Sequence, residues 1–156
     1  MMSAISQQLE PYTDAILLAN VAATLFMTGL IWFVQIVHYP LFHRVPAAEF
    51  TGYERDHQRL TTFVVAPPML CELVTSIMLV ASPPPGVSPE TLWTALGLVL
   101  VIWGSTIGLQ VPEHQRLAKN FSAAAHRRLV HSNWVRTTAW TARAVFVMRM
   151  LHHQLS

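Results

Sequence analysis

Four stretches of the chain are apolar over a length close to that of a membrane-spanning helix. Residues 15–37 contain no charged side chain, and neither do residues 92–111. Residues 60–81 contain one, Glu72, and residues 134–151 contain three, Arg136, Arg143 and Arg149. A bilayer-spanning helix needs about 20 mostly apolar residues. The pattern therefore predicts an all-α fold over 1–156, a single domain built as a four-helix transmembrane bundle. The fourth stretch is the costliest to insert, since one Arg at a helix centre costs about 2.5–3.5 kcal/mol on insertion scales. Trp134, Trp140 and Phe146 offset part of that cost.

The connections fit an up-down order. Ser82-Pro-Pro-Pro-Gly86 is a turn that cannot be helical throughout. Pro46 before Ala47-Ala48-Glu49-Phe50 reads as a helix start, as does Ser122 before Ala123-Ala124-Ala125. Helices two and four are thus expected to begin in the interface, ahead of their apolar parts. Arg44, Arg55 and Arg59 lie in the first connection, and Arg116, Lys119, Arg127 and Arg128 in the third. The amino-terminal segment and the proline turn hold none. The positive-inside rule places both basic connections in the cytoplasm and both termini outside, in a multi-pass protein of the cell (inner or plasma) membrane.

Composition agrees with this picture. Charged residues make up 12% of the chain, about half the share in a soluble domain. The net charge of +2 comes from scattered loop residues, so no nucleic-acid partner is expected. The lone Cys71 lies in an apolar run and founds no disulfide framework. Glu10 and Asp14, with no Lys or Arg before residue 15, are the reverse of a secretory leader. The first apolar stretch is therefore expected to stay as a span.

Polar residues within these stretches recur at helical spacing. Asn20, Thr24, Thr28, Gln35 and His38 share one face of the first helix. His57, Thr61, Pro68 and Glu72 share one of the second, Thr106, Gln110 and His114 one of the third, and Asn133, Arg136 and Arg143 one of the fourth. Lipid cannot satisfy such groups, so they are expected to meet inside the bundle. Glu72 and Arg143 stand at similar depth on helices that run the same way, which predicts a buried ion pair. Pro67-Pro68 removes two backbone donors and predicts a kinked, polar spot one turn before Glu72. Trp32, Trp93, Trp103 and Trp134 read as an interfacial or lipid-facing belt.

Imidazole and carboxylate together suit zinc, iron or copper. His38, His57, His114 and Glu72 are therefore a candidate metal set, with haem the other cofactor considered, although no HxxxH, ExxH or CxxC pair with ligand spacing is read along the chain to support it. His43, His126, His131, His152 and His153 read as interfacial. A shift of 76 residues pairs His38 with His114, Ala47-Ala48 with Ala123-Ala124 and Thr61-Thr62 with Thr137-Thr138. That register predicts two duplicated helical hairpins with the site between them. A chance match in a biased composition is the alternative.

Gln110-Val-Pro-Glu-His114, with Asn133-Trp-Val-Arg136-Thr137, resembles the hallmark of the anthrone-oxygenase-like family of small four-helix membrane proteins. The match departs at His114, where that family usually has Asn. His38-Tyr-Pro-Leu-Phe42 and Pro67-Pro-Met-Leu-x-Glu72 are similar to a His-rich bacterial branch. The resemblance implies oxidation of lipophilic aromatic or quinone-type compounds. The expected convergence of titratable groups inside the bundle, rather than the resemblance, suggests that His38, His57 and His114 bind a metal or act as bases and that Asn133 and Arg136 hold a polar substrate edge. Gln35 and Gln110 extend the polar stripe. Two other readings stay open: an accessory subunit of a membrane complex or homo-oligomer, whose polar groups only fix packing, and a small transporter.

Overall fold

The computed structural model describes residues 4–156. Every regular element among them is helical, and four long helices make the fold: α1 Gln7–Arg44, α2 Ala47–Ala81, α3 Pro89–Leu117 and α4 Ala123–Leu155. Three of them, α1 to α3, are long and apolar enough to cross a membrane. The fourth carries the buried arginines and packs against both α1 and α3.

Short connections force neighbouring helices to run antiparallel. Between α1 and α2 only Val45 and Pro46 leave the helical region, and Val45 is extended, as a residue before proline must be. Both helices therefore begin or end well beyond their apolar parts. In the proline turn, Val87 N–H donates to Pro84 O, and Gly86 takes a φ of 74°, a conformation that glycine alone adopts freely. Ser88 and Ser122 cap α3 and α4, accepting from the backbone N–H of Thr91 and Ala125. Helices α2 and α4 start at Ala47 and Ala123, where the sequence places them.

The interior is stratified. Leu17, Val21, Leu79, Leu92, Ala95 and Val147 form an apolar layer near the termini. Met27, Ile31, Met69, Ile102 and Trp140 form a middle one. Tyr39, Phe42, Phe50, Leu117 and Leu129 form a third, at the end carrying the two basic connections. Polar side chains fill the two gaps between these layers. Helices α1 and α3 face each other across one diagonal, and α2 and α4 across the other.

Two helices are locally underwound. Val34–His38 in α1 and Thr106–Gln110 in α3 are π turns. Each is followed two residues later by a proline, Pro40 or Pro112, which has no N–H to return to the carbonyl one turn back. The chain accommodates this by inserting a residue: Tyr39 N–H reaches Val34 O and Val111 N–H reaches Thr106 O. The prolines do not coincide in the gapless register that pairs His38 with His114.

Helix α2 is continuous helix through Pro67 and Pro68. Pro67 is exposed, and so are Phe63 and Val64, whose carbonyls the prolines leave without helical donors.

Candidate functional site

The polar layer nearer the termini draws on all four helices. Arg143 of α4 is fully buried and reaches across the diagonal to Glu72 of α2, Nε to Oε1 at 3.2 Å. Its remaining donors go to Ala95 O of α3 at 2.6 Å, to Asn20 Oδ1 of α1 at 2.9 Å and to Ser76 Oγ at 2.8 Å. Trp140 Nε1 donates to the other oxygen, Glu72 Oε2, at 3.0 Å. Asn20 in turn donates to Thr75 Oγ1 at 2.7 Å. A guanidinium has five donors in a rigid fork, and here the fork is shared among four helices. Such a layer fixes helix register, and Glu72 lines none of the main cavities.

The second polar layer holds the histidines. His38 Nε2 lies 3.0 Å from His57 Nδ1, which also meets Thr61 Oγ1 at 3.1 Å. At that separation one ring must donate and the other accept, so the pair shares a proton. His114 stands 5.3 Å from His57, ring centre to ring centre. Its Nδ1 is 2.6 Å from Glu54 Oε1 and its Nε2 is 2.8 Å from the Tyr39 hydroxyl. Gln58 Nε2 also donates to Glu54 Oε1, at 3.1 Å. Below these rings, Asn133 Nδ2 donates to Gln35 Oε1 at 2.9 Å, and Arg136 Nη1 donates to Asn133 Oδ1 at 3.3 Å. Gln110 Nε2 is turned toward Ser132 Oγ, at 3.0 Å.

Arg136 is 6% exposed, yet among the described residues no carboxylate pairs with it. Its guanidinium stacks 5.1 Å from the centre of the Trp140 ring, and its Nε is buried without a hydrogen-bond partner. Glu54 Oε2 and Gln110 Oε1 are buried and unpartnered as well. Leaving such groups unsatisfied is costly, and here they gather at one level of the bundle.

Cavities open at that level. A space of about 140 Å³ between α2 and α3 is lined by Tyr39, His57, Thr61, Gln110, His114 and Arg136, among others. On the other side of α2, an apolar groove of about 250 Å³ runs between α1 and α2, past Leu30, Phe33, Leu60 and Val64, and ends on His38 and His57. A narrow space of about 30 Å³ shares His57, Thr61 and Val65 with both and adds Tyr39 and Arg136. Phe63 and Ile107 point outward around this level, 72% and 63% exposed, so the site is girdled by apolar surface.

Among the sequence-chosen residues, the fold brings His38, His57, His114, Asn133, Arg136, Gln35 and Gln110 into this second layer. It puts Glu72 and Arg143 in the other. The metal set does not assemble. Glu72 lies fifteen residues beyond His57 on one helix, about 22 Å at 1.5 Å per residue, and its oxygens are taken by Arg143 and Trp140. Both ring nitrogens of His114 are engaged. Among the described residues no group of three His, Cys, Asp or Glu is placed to hold a metal ion.

His126, read as interfacial, packs partly against the rest of the fold. It is half-buried, bonds Tyr39 O through Nε2 at 2.7 Å and stacks on Phe42. His43, His131, His152 and His153 are exposed. Two site residues come from outside the chosen set, Tyr39 and Glu54, 4% and 0% exposed. Glu54-Arg-Asp-His57 is a Glu-x-x-His spacing, contrary to the expectation that the chain holds none; it sets both side chains on one helix face and is the signal that points to Glu54. Comparison with family models, with curated proteins and with solved structures found no match.

Proposed function

We propose that the chain is an intramembrane oxidoreductase of the anthrone-oxygenase type, taking a lipophilic phenol, anthrone or quinone-type substrate from the bilayer. One observation carries the reading: an apolar groove leads from the outer surface to the paired His38 and His57, and a narrow space that shares His57 with it is lined by Arg136, a buried arginine without a counter-charge. The body of a polycyclic aromatic suits the groove. Its oxygen suits Arg136 and Asn133, which stabilise charge as it develops on that oxygen. His57, bonded to His38, stands where a general base would take the proton.

For an anthrone the methylene carbon gives up a proton, and the resulting anion is oxidised by dioxygen. One oxygen atom becomes the new carbonyl and the other leaves as water. The protein's part is deprotonation and charge stabilisation, and no step is assigned to a metal. In the same proposal the two basic connections face the cytoplasm and both termini lie outside.

The test is dioxygen uptake by protein purified in mild detergent, with anthrone as substrate and anthraquinone as the product followed. The wild type should exceed empty micelles, and His57→Ala and Arg136→Gln should each lower the rate about 10²-fold or more. The elemental content and visible spectrum of the same preparation reveal any metal or haem that co-purifies. A rate equal to empty micelles, unchanged in a His38→Ala/His114→Ala double variant, would favour the accessory-subunit reading. That second reading has its own support in the Glu72–Arg143 layer, which has the satisfied, cavity-free character of a packing device.

A further inference from the structure

We infer that Tyr39, His114 and Glu54 form a proton relay, with Tyr39 the group that meets the ligand. The direction of each hydrogen bond follows from the acceptors. Glu54 Oε1 already accepts from Gln58 Nε2, so toward His114 Nδ1 it accepts again, and Nδ1 carries the proton. In a neutral imidazole Nε2 is then the lone-pair nitrogen. The Tyr39 hydroxyl therefore donates to it, at 2.8 Å. A hydroxyl, an imidazole and a buried carboxylate in series is the arrangement in which a base is oriented by a third group.

Position supports the same role. Tyr39 lines both the cavity beside α3 and the narrow space leading to the groove, and Arg136 lines both with it. A ligand oxygen or activated carbon held by Arg136 is thus brought to the tyrosine. The π turn in α1 makes this possible, because its inserted residue turns Tyr39 inward, directly after His38.

The transfer balances without an electron. The ligand's acidic proton passes to the Tyr39 oxygen as the Tyr39 proton passes to His114 Nε2. The bond broken is the ligand's O–H or C–H, and the bond formed is the second N–H of His114. The ligand is left as an anion against Arg136, and the imidazolium is left against Glu54. The class of ligand is therefore a weakly acidic phenol, enol or activated methylene compound on an apolar body. This deepens the proposed function and rests on it, since the same cavity is used. It moves proton acceptance from the His38–His57 pair to Tyr39 and His114.

The probe is 2-hydroxyanthraquinone, whose neutral and ionised forms differ in visible colour. It is added to detergent-purified protein at a pH where the dye in empty micelles is neutral. Bound to the wild type it should show the ionised spectrum. Bound to Tyr39→Phe it should show the neutral spectrum, with binding retained because the variant keeps the Arg136 guanidinium and removes only the hydroxyl beside it. Arg136→Gln should lose binding. If Tyr39→Phe does not fold, judged by its helical circular dichroism and gel filtration, Glu54→Gln carries the same test, since it removes the carboxylate that supports the imidazolium. A neutral spectrum in the wild type, or an ionised one in the folded variant, overturns the relay while leaving the binding site standing. Absence of binding by the wild type overturns the proposed function itself.

Discussion

Replacing Glu72 by Gln isolates the charge of the terminal-side polar layer at nearly constant shape. In the wild type Arg143 is fully buried, and Glu72 supplies its one negative charge. The variant keeps the contacts of Arg143 to Ala95 O, Asn20 Oδ1 and Ser76 Oγ. What it loses is the countercharge, and an uncompensated buried ion costs about 3–5 kcal/mol. Arg143→Met does the complementary damage: Glu72 keeps Trp140 Nε1, but one hydrogen bond cannot hold a carboxylate in an apolar interior, so a loss of about 3 kcal/mol or more is expected.

The double variant Glu72→Gln/Arg143→Met removes both charges. It should be less destabilised than the sum of the singles by about 2–3 kcal/mol, which is the size of coupling that residues in one network show. The assay is reversible unfolding of the detergent-solubilised protein by titration with a denaturing detergent, followed by circular dichroism and Trp fluorescence. Single variants within about 0.5 kcal/mol of wild type, a range typical of surface changes, would refute the reasoning. So would strictly additive losses, since they would mean that the two groups do not act as a pair.

Other outcomes follow from the second layer and from the proposed topology. Leu60 is exposed on the wall of the apolar groove, so Leu60→Trp should fill the entrance and raise KM for anthrone with kcat little changed, as read from initial rates. Gln35→Leu strands the Asn133 amide that it accepts from, and should lower stability by about 1–3 kcal/mol in the same unfolding assay. In a Cys71→Ser background, a cysteine at Gly86 should react with a membrane-impermeant thiol reagent on intact cells. One at Lys119 should react only after permeabilisation, and the reverse pattern would invert the proposed orientation.

Hydropathy alone was enough for the helical class, because a chain whose backbone must be satisfied in lipid has few options beyond helices. The number and order of the helices follow from the spacing of the apolar stretches and from the proline turn. The polar stripes on α1, α3 and α4 were legible as faces, since side chains three and four apart lie together on any straight helix. Less legible was Glu54. It sits in the run Tyr53-Glu-Arg-Asp-His57-Gln-Arg59, which reads as a solvated face, and Arg59 and Asp56 are indeed an exposed pair. Glu54, His57 and Gln58 of that run point inward because α2 continues as helix below its apolar part and lays that face against α3.

Tyr39 was hidden for a different reason. A π turn adds one residue and rotates everything after it by about 100°, the step per residue of an α-helix, so a 3.6-residue periodicity read from the start of α1 loses its phase at residue 34. The sequence by itself determined that this chain is a helical bundle with a polar interior, because burial of apolar side chains and the cost of unpaired polar ones act on each helix separately. Which polar groups share a layer was decided only by tertiary structure. That sorting depends on relative helix height and rotation, and it separates Glu72 from the histidines while setting a tyrosine, an imidazole and a carboxylate in line.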